Sequence, residues 1–172
     1  MNKQFFIWGT VALGAAFLIA GLMLVWLGFH QRDHIVMDLR GENITTADPR
    51  ILLTYETGRA PEGVEVPEVT IDSADLADAQ ARVIRIHTLT ATGGLTYSEL
   101  PSQVELADGS MGPNPLRSLY ITSLTLQTTL HQAHLGLELT LFVMGIGAAF
   151  AGFGAYTLVL GLPLVRKVIA MK

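Results

Sequence analysis

Apolar residues pool at the two ends of this chain, and the stretch between them is polar, acidic and rich in turn residues. The first apolar run, residues 5–29, contains no charged side chain. A helix rising about 1.5 Å per residue over that length crosses a ~30 Å hydrocarbon core with some tilt. Trp8 and Trp26 lie near its ends, at the depth where indole rings collect. A cleaved signal peptide is the plain alternative. Its apolar region is only about 7–15 residues and ends in a small-residue cleavage site, whereas this run is longer and leads into His30-Gln31-Arg32-Asp33-His34. The second run, residues 139–162, is equally free of charge. The pattern predicts a mainly α protein: a transmembrane two-helix hairpin with a small, mostly helical extracytoplasmic domain between the spans.

Within that frame residues 1–4 form the N-terminus, 5–29 the first span, 30–138 the intervening domain, 139–162 the second span and 163–172 a basic tail. The first helix is expected to continue past the membrane to Gly41. Asn43-Ile44-Thr45 reads as extended. Residues 46–70, with Pro49, Gly58, Pro61, Gly63 and Pro67, read as irregular. Alternation in Val64-Glu65-Val66 and Val69-Thr70-Ile71 suits short strands. A soluble helix over about 73–92 starts at Asp72 or Ser73, both good caps. Its apolar stripe is Leu76, Ala79, Val83, Ile86 and Leu89 or Thr90, and it stops at Gly93-Gly94. Residues 95–101 read as a short helical turn ended by Pro101, and 102–113 carry no strong pattern. Asn114-Pro115 is a cap followed by proline at the first helical position. From about 115 no strong breaker intervenes, so one helix is expected to run on into the second span.

Both spans are rich in small residues. The second has Gly145/Ala149, Gly147/Ala151 and Ala148/Gly152 spaced by four, and the first has Ala12, Ala16 and Ala20 at the same spacing. Such spacing lets helix backbones approach closely in lipid, within the hairpin or with a partner. The plain alternative is that glycine and alanine are simply common in membrane helices.

Charge adds orientation. Lys3 and the terminal amine precede the first span, and Arg166, Lys167 and Lys172 follow the second. The positive-inside rule then puts both termini in the cytoplasm and the middle outside, in a cytoplasmic (inner) membrane. Only 15% of residues are charged, against about 25% in soluble domains. The net charge of −4 leaves no basic footprint for nucleic acid. With no cysteine, disulfides, thiolate metal sites and thiol nucleophiles are excluded.

Histidine supplies the one set of residues with ligand chemistry. His30 and His34 are four apart at the end of the first span. His131 and His134 are three apart before the second, and Glu138 is four beyond His134. Each spacing keeps its residues on one helical face. In an antiparallel hairpin the four imidazoles and the carboxylate would meet at one membrane surface, a set suited to a metal ion or haem. His131, His134 and Glu138 alone cannot bind one ion, because a straight helix puts the outer two about 10 Å apart. The plain alternative is a group of interfacial polar residues, with Glu138 near water or beside a protonated histidine. No Gly-x-Ser-x-Gly, phosphate loop or His-Glu-x-x-His occurs, so no enzyme activity is expected.

The segment His87-Thr88-Leu89-Thr90-Ala91-Thr92-Gly93-Gly94-Leu95-Thr96-Tyr97-Ser98-Glu99-Leu100 fits the pattern His-x-Leu-x-x-Thr-Gly-Gly-x-Thr-Tyr-x-Glu-Leu. Together with Leu39–Thr45, Leu126–Leu130 and Met144-Gly145-Ile146-Gly147, it resembles a family of small two-span membrane proteins of actinobacteria and related bacteria. Some members carry the label aromatic ring-opening dioxygenase, which the residues here do not support. The resemblance implies the two-span architecture and marks His87, Gly93, Gly94, Tyr97 and Glu99 as its motif; it brings no activity with it. Gln127 departs from an arginine tendency in the family and His131 from an aromatic one, and the irregular stretch 46–70 is longer than the family's. His87 either binds a partner or satisfies backbone groups near a helix end.

These readings lead to an expectation: a non-enzymatic accessory or scaffold subunit without cofactor, in contact with lipid. It would dock a larger membrane protein complex, or a second copy, through the Gly/Ala face of the second span. A metal- or haem-binding membrane protein is the alternative.

Overall fold

The computed structural model describes residues 3–107 and 109–170. The terminal amine and Lys172, two of the charges expected to orient the chain, lie outside the described residues. The chain is mainly helical and divides into two compact units. One comprises Met1–His34 and Glu138–Lys172, the other Ile35–Leu137. Helices α1 (Lys3–Gly41) and α4 (Pro115–Tyr156) contribute to both.

In the first unit, α1 and α4 are long and apolar enough to cross a membrane, with mean hydropathy of 2.3 and 1.8 over their best windows. Only 17% and 11% of those windows are buried. A soluble core helix this apolar would be mostly buried, so the faces left bare suit lipid. The helices pack through glycine. Gly14 faces Gly154, Gly21 faces Gly147 and Ala151, and Gly28 faces Thr140 and Met144. Each step of seven along α1 is matched by a step of seven back along α4. That period is the seam of an antiparallel, left-handed pair. Phe17 closes one side of the seam edge-on against Phe150 and Phe153, at 5.3 and 5.1 Å between centroids. Beyond Tyr156 the helix widens into a π turn over Thr157–Gly161 and resumes as α5 (Leu162–Ala170). Pro163 explains the widening. It lacks an N–H and its ring crowds the carbonyl one turn back, and an i→i+5 turn accommodates both.

The second unit builds a small core around α3 (Ala74–Ala91). Ile71 is fully buried with Leu76, Ala77, Ala81 and Leu130, and Val69 and Ile84 pack on them. Ala77 and Ala81 are one turn apart, so α3 and α4 can approach closely at Leu130. The buried surface of α3 is wider than the single stripe expected. Leu76, Ala79 and Val83 are buried, and so are Ala77, Ala81 and Thr88. Ser73 caps the helix by accepting from the Leu76 N–H. Its other end closes as a Schellman motif, with Gly94 N–H to Leu89 O, Gly93 N–H to Thr90 O and Gly93 at φ +65°.

The extended segment expected at 43–45 and one of the two short strands expected from alternation meet in a two-stranded ribbon, and a short helix and a second ribbon form where no regular structure is expected. Strand β1 (Thr45–Ala47) pairs antiparallel with β2 (Glu68–Thr70), Thr46 opposite Val69, while Val64-Glu65-Val66 forms no strand. Between them Asp48 caps a one-turn helix, α2 (Pro49–Leu52), which buries Pro49 and Leu52 and contacts α3. Asp48 accepts from the guanidinium of Arg50 and from its backbone N–H, and the guanidinium above all holds its carboxyl below the usual carboxylate range. Strands β3 (Gln103–Glu105) and β4 (Met111–Pro113) form a second two-stranded ribbon in the stretch without pattern.

Candidate functional site

The motif residues form a joint between the end of α3 and the start of α4. After the Gly93-Gly94 closure, Thr96 and Glu99 close a turn. The Glu99 carboxylate accepts from the Thr96 N–H at 2.8 Å and from its hydroxyl at 2.6 Å. The side-chain half of a capping box is therefore present, in which the glutamate reaches back to the threonine N–H, while the Glu99 N–H donates to the Thr96 carbonyl. The Thr96 hydroxyl, followed by its N–H, pulls the Glu99 carboxyl below its ordinary value. The Thr92 hydroxyl, in a buried side chain, donates to Leu95 O. Arg117 then fastens the turn to α4. Its guanidinium donates to Leu100 O at 2.7 Å and lies over the Tyr97 ring at 4.1 Å. Asn114 caps α4 by accepting from the Leu116 N–H, and donates its amide to Pro101 O. Gly93, Gly94, Tyr97 and Glu99 therefore have structural work in this joint. Arg117 and Asn114 complete it and were not singled out by the motif. The Asn-Pro start of α4 was the visible signal for Asn114.

His87 looks away from this joint. Its Nε2 is 2.9 Å from Gly58 O, tying α3 to the turn after α2. Gly58 sits at φ +64°, and a Cβ there would meet the imidazole at 3.3 Å. Beside this contact lies an open groove of about 290 Å³ lined by Arg59, Ile84, His87, Thr88, Ala91, Leu119 and Ser123.

The five residues with ligand chemistry fall into separate settings. His30 and His34 belong to the first unit, and their Nε2 atoms are 3.2 Å apart. His131 and His134 belong to the second unit and face α3. His131 Nε2 lies 3.6 Å from the Asp78 carboxylate, and His134 Nδ1 3.1 Å from Ala74 O. Glu138 is exposed in the first unit. Among the described residues no three His, Asp or Glu side chains are grouped to hold one metal ion.

The small residues of the spans divide into two classes. Gly147 and Ala151 lie in the α1–α4 seam. Gly145, Ala148, Ala149 and Gly152 are exposed on the rest of α4, and a Cβ at Gly145 or Gly152 would meet nothing within 4 Å. Their spacing of three and four makes one continuous stripe. Ala12, Ala16 and Ala20 are also exposed. The residues that hold the hairpin from the α1 side are Gly14, Gly21 and Gly28. They recur every seven residues, so the spacing of four in Ala12, Ala16 and Ala20 does not mark the seam. Comparison with protein-family models, with curated proteins and with solved structures finds no match for this chain.

Proposed function

We propose that this protein is a non-enzymatic accessory subunit of a larger membrane protein complex, docked through the exposed stripe Gly145–Ala148–Ala149–Gly152 of α4. One observation carries the reading: the hairpin seam already has its own glycines, and this stripe remains uncovered. Apolar side chains gain nothing by leaving lipid for one another. Close backbone approach at small residues is what drives helix association there. In this reading Arg166 and Lys167 lie on the cytoplasmic side with both termini, in the inner membrane, and the unit Ile35–Leu137 is extracytoplasmic.

A photo-crosslinking amino acid at Ala148 tests the reading in the native membrane. The expected product joins the 18.6 kDa chain to a larger membrane protein. It should disappear in Gly145→Leu and Gly152→Leu variants that keep their helicity. A product of only twice the chain mass would replace the complex by a homodimer. Recovery of free chain alone, in the membrane and in mild detergent, would refute docking.

A further inference from the structure

His30 and His34 stand one turn apart on α1, immediately after Trp26. Their rings are nearly perpendicular, at 85°, with centroids 4.5 Å apart. Trp26 stacks on His30 at 5.3 Å and 7° between planes. The stack orients the first ring without using either of its nitrogens. Among the described residues neither ring has a hydrogen bond apart from the one between them. Both side chains are exposed.

The gap between the two Nε2 atoms, 3.2 Å, fits two occupants. A proton can bridge it when one neutral ring donates to the lone pair of the other. A metal ion can bridge it when both rings carry their proton on Nδ1. Two imidazole nitrogens about 2.0–2.1 Å from a tetrahedral ion stand about 3.3–3.4 Å apart, and cis ligands of a square-planar ion about 2.9 Å. The observed gap lies between those values, so an ion can enter with small rotations of the side chains and no movement of the backbone. The other histidines are differently engaged: His131 faces Asp78, His134 the Ala74 carbonyl, and His87 the Gly58 carbonyl.

We propose that His30 and His34 form a two-imidazole chelate for a divalent transition ion, with Cu²⁺ bound most tightly and water on the remaining positions. The site rests on α1 alone and is independent of the docking reading.

Trp26 provides a local reporter, because a paramagnetic ion on His30 lies beside the stacked indole. The experiment titrates Cu²⁺ into the full chain in mild detergent. Trp8→Phe removes the only other tryptophan. Saturable quenching at one equivalent is expected, reversed by excess Zn²⁺, which competes for imidazole and does not quench. His34→Ala leaves the Trp26–His30 stack in place and removes the chelate. It should raise the copper concentration for half-quenching roughly a hundredfold, the lower end of what a second tethered ligand contributes. His34→Gln should behave alike, which guards against a folding defect of the alanine variant. The double variant His131→Ala/His134→Ala should quench as the parent does. Equal quenching in the parent and both His34 variants would overturn the proposal. So would loss of quenching in the His131/His134 variant, or quenching that never saturates.

Discussion

The glycine seam predicts a sharp asymmetry between glycines on the same helix pair. A Cβ added at Gly21 would overlap the backbone of Ala151, lying 2.5 Å from Gly147 O and 2.8 Å from Ala151 Cα. Ordinary contact begins near 3.4 Å. The atoms it meets are helix backbone, so no side chain can rotate aside, and the helices must separate by about 1 Å. A gap of that size forfeits a quarter to a half of each dispersion contact along the seam. Gly21→Ala should therefore cost about 1–3 kcal/mol, the usual range for overpacking. Gly152→Ala, with nothing within 4 Å, should stay within about 0.5 kcal/mol of the parent. The chain has no cysteine, so dyes can be placed uniquely on Phe5→Cys and Leu164→Cys, two exposed positions at the same end of the pair. Energy transfer between them, followed through an SDS titration in mild detergent, reports separation of the hairpin. Gly147→Ala should act like Gly21→Ala, since its Cβ meets Gly21 O and Val25 N at 2.8 Å. The double variant should cost less than the sum, because one separation relieves both clashes. Equal midpoints for Gly21→Ala and Gly152→Ala would refute the seam.

Three further outcomes follow from the second unit. Arg117→Ala removes a charged donor to Leu100 O and the cation over Tyr97, and should cost about 2 kcal/mol; thermal unfolding and faster amide exchange at 96–100 check it. Gly93→Ala places a side chain at φ +65° and should destabilise by about 1 kcal/mol, whereas Gly94→Asn, at φ +84°, should be milder because asparagine tolerates that region. Asp48 titrates lower in the folded chain than its ordinary value of 3.8, so its stabilisation is complete above that value and is lost as pH falls through the lower folded value. Asp48→Asn should flatten this acid limb in unfolding measured between pH 2 and 6, and an unchanged limb would show that other carboxylates set it.

What the sequence disclosed depended on how local the cause was. The two apolar helices follow from composition over a long window, a signal no tertiary contact can cancel. Ser73 and Asn114 announce helix starts because their side chains bond the first turn they precede. Alternation at Val69-Thr70-Ile71 marks the strand near β2, but its pairing with Thr45–Ala47 and the β3–β4 ribbon are not legible, because three-residue ribbons carry too few positions for a period. Helix α2 escaped for a related reason: Pro49 reads as a breaker in isolation and as a helix start once Asp48 caps it. The motif around Gly93 was visible as a string of residues, but its meaning lies in Arg117, seventeen residues beyond the carbonyl it binds. The histidines were legible as two close pairs along the chain. Their settings were not, because His131 and His134 turn towards α3, a choice made by packing at Leu130 and Ala77.

The glycine pattern ties these strands of reasoning together. A hairpin of two helices needs one close-packed seam, and Gly14, Gly21, Gly28, Gly147 and Gly154 provide it with a period of seven. The further glycines Gly145 and Gly152 contribute nothing to that seam. In a helix interior each is less favourable than alanine by about 0.5–1 kcal/mol on scales measured in water. A lipid-facing position has no need of them, since leucine fills it with better helix propensity and more contact. Their stripe is completed by Ala148 and Ala149, so the cost falls on one face and at spacings of three and four. A seam is already present on the other side, so a second helix that approaches this face is the physical circumstance in which that cost is recovered. The period of seven belongs to the hairpin, and the period of four is the one the proposed docking would use. This separation lets Gly21→Ala and Gly152→Leu test folding and assembly independently.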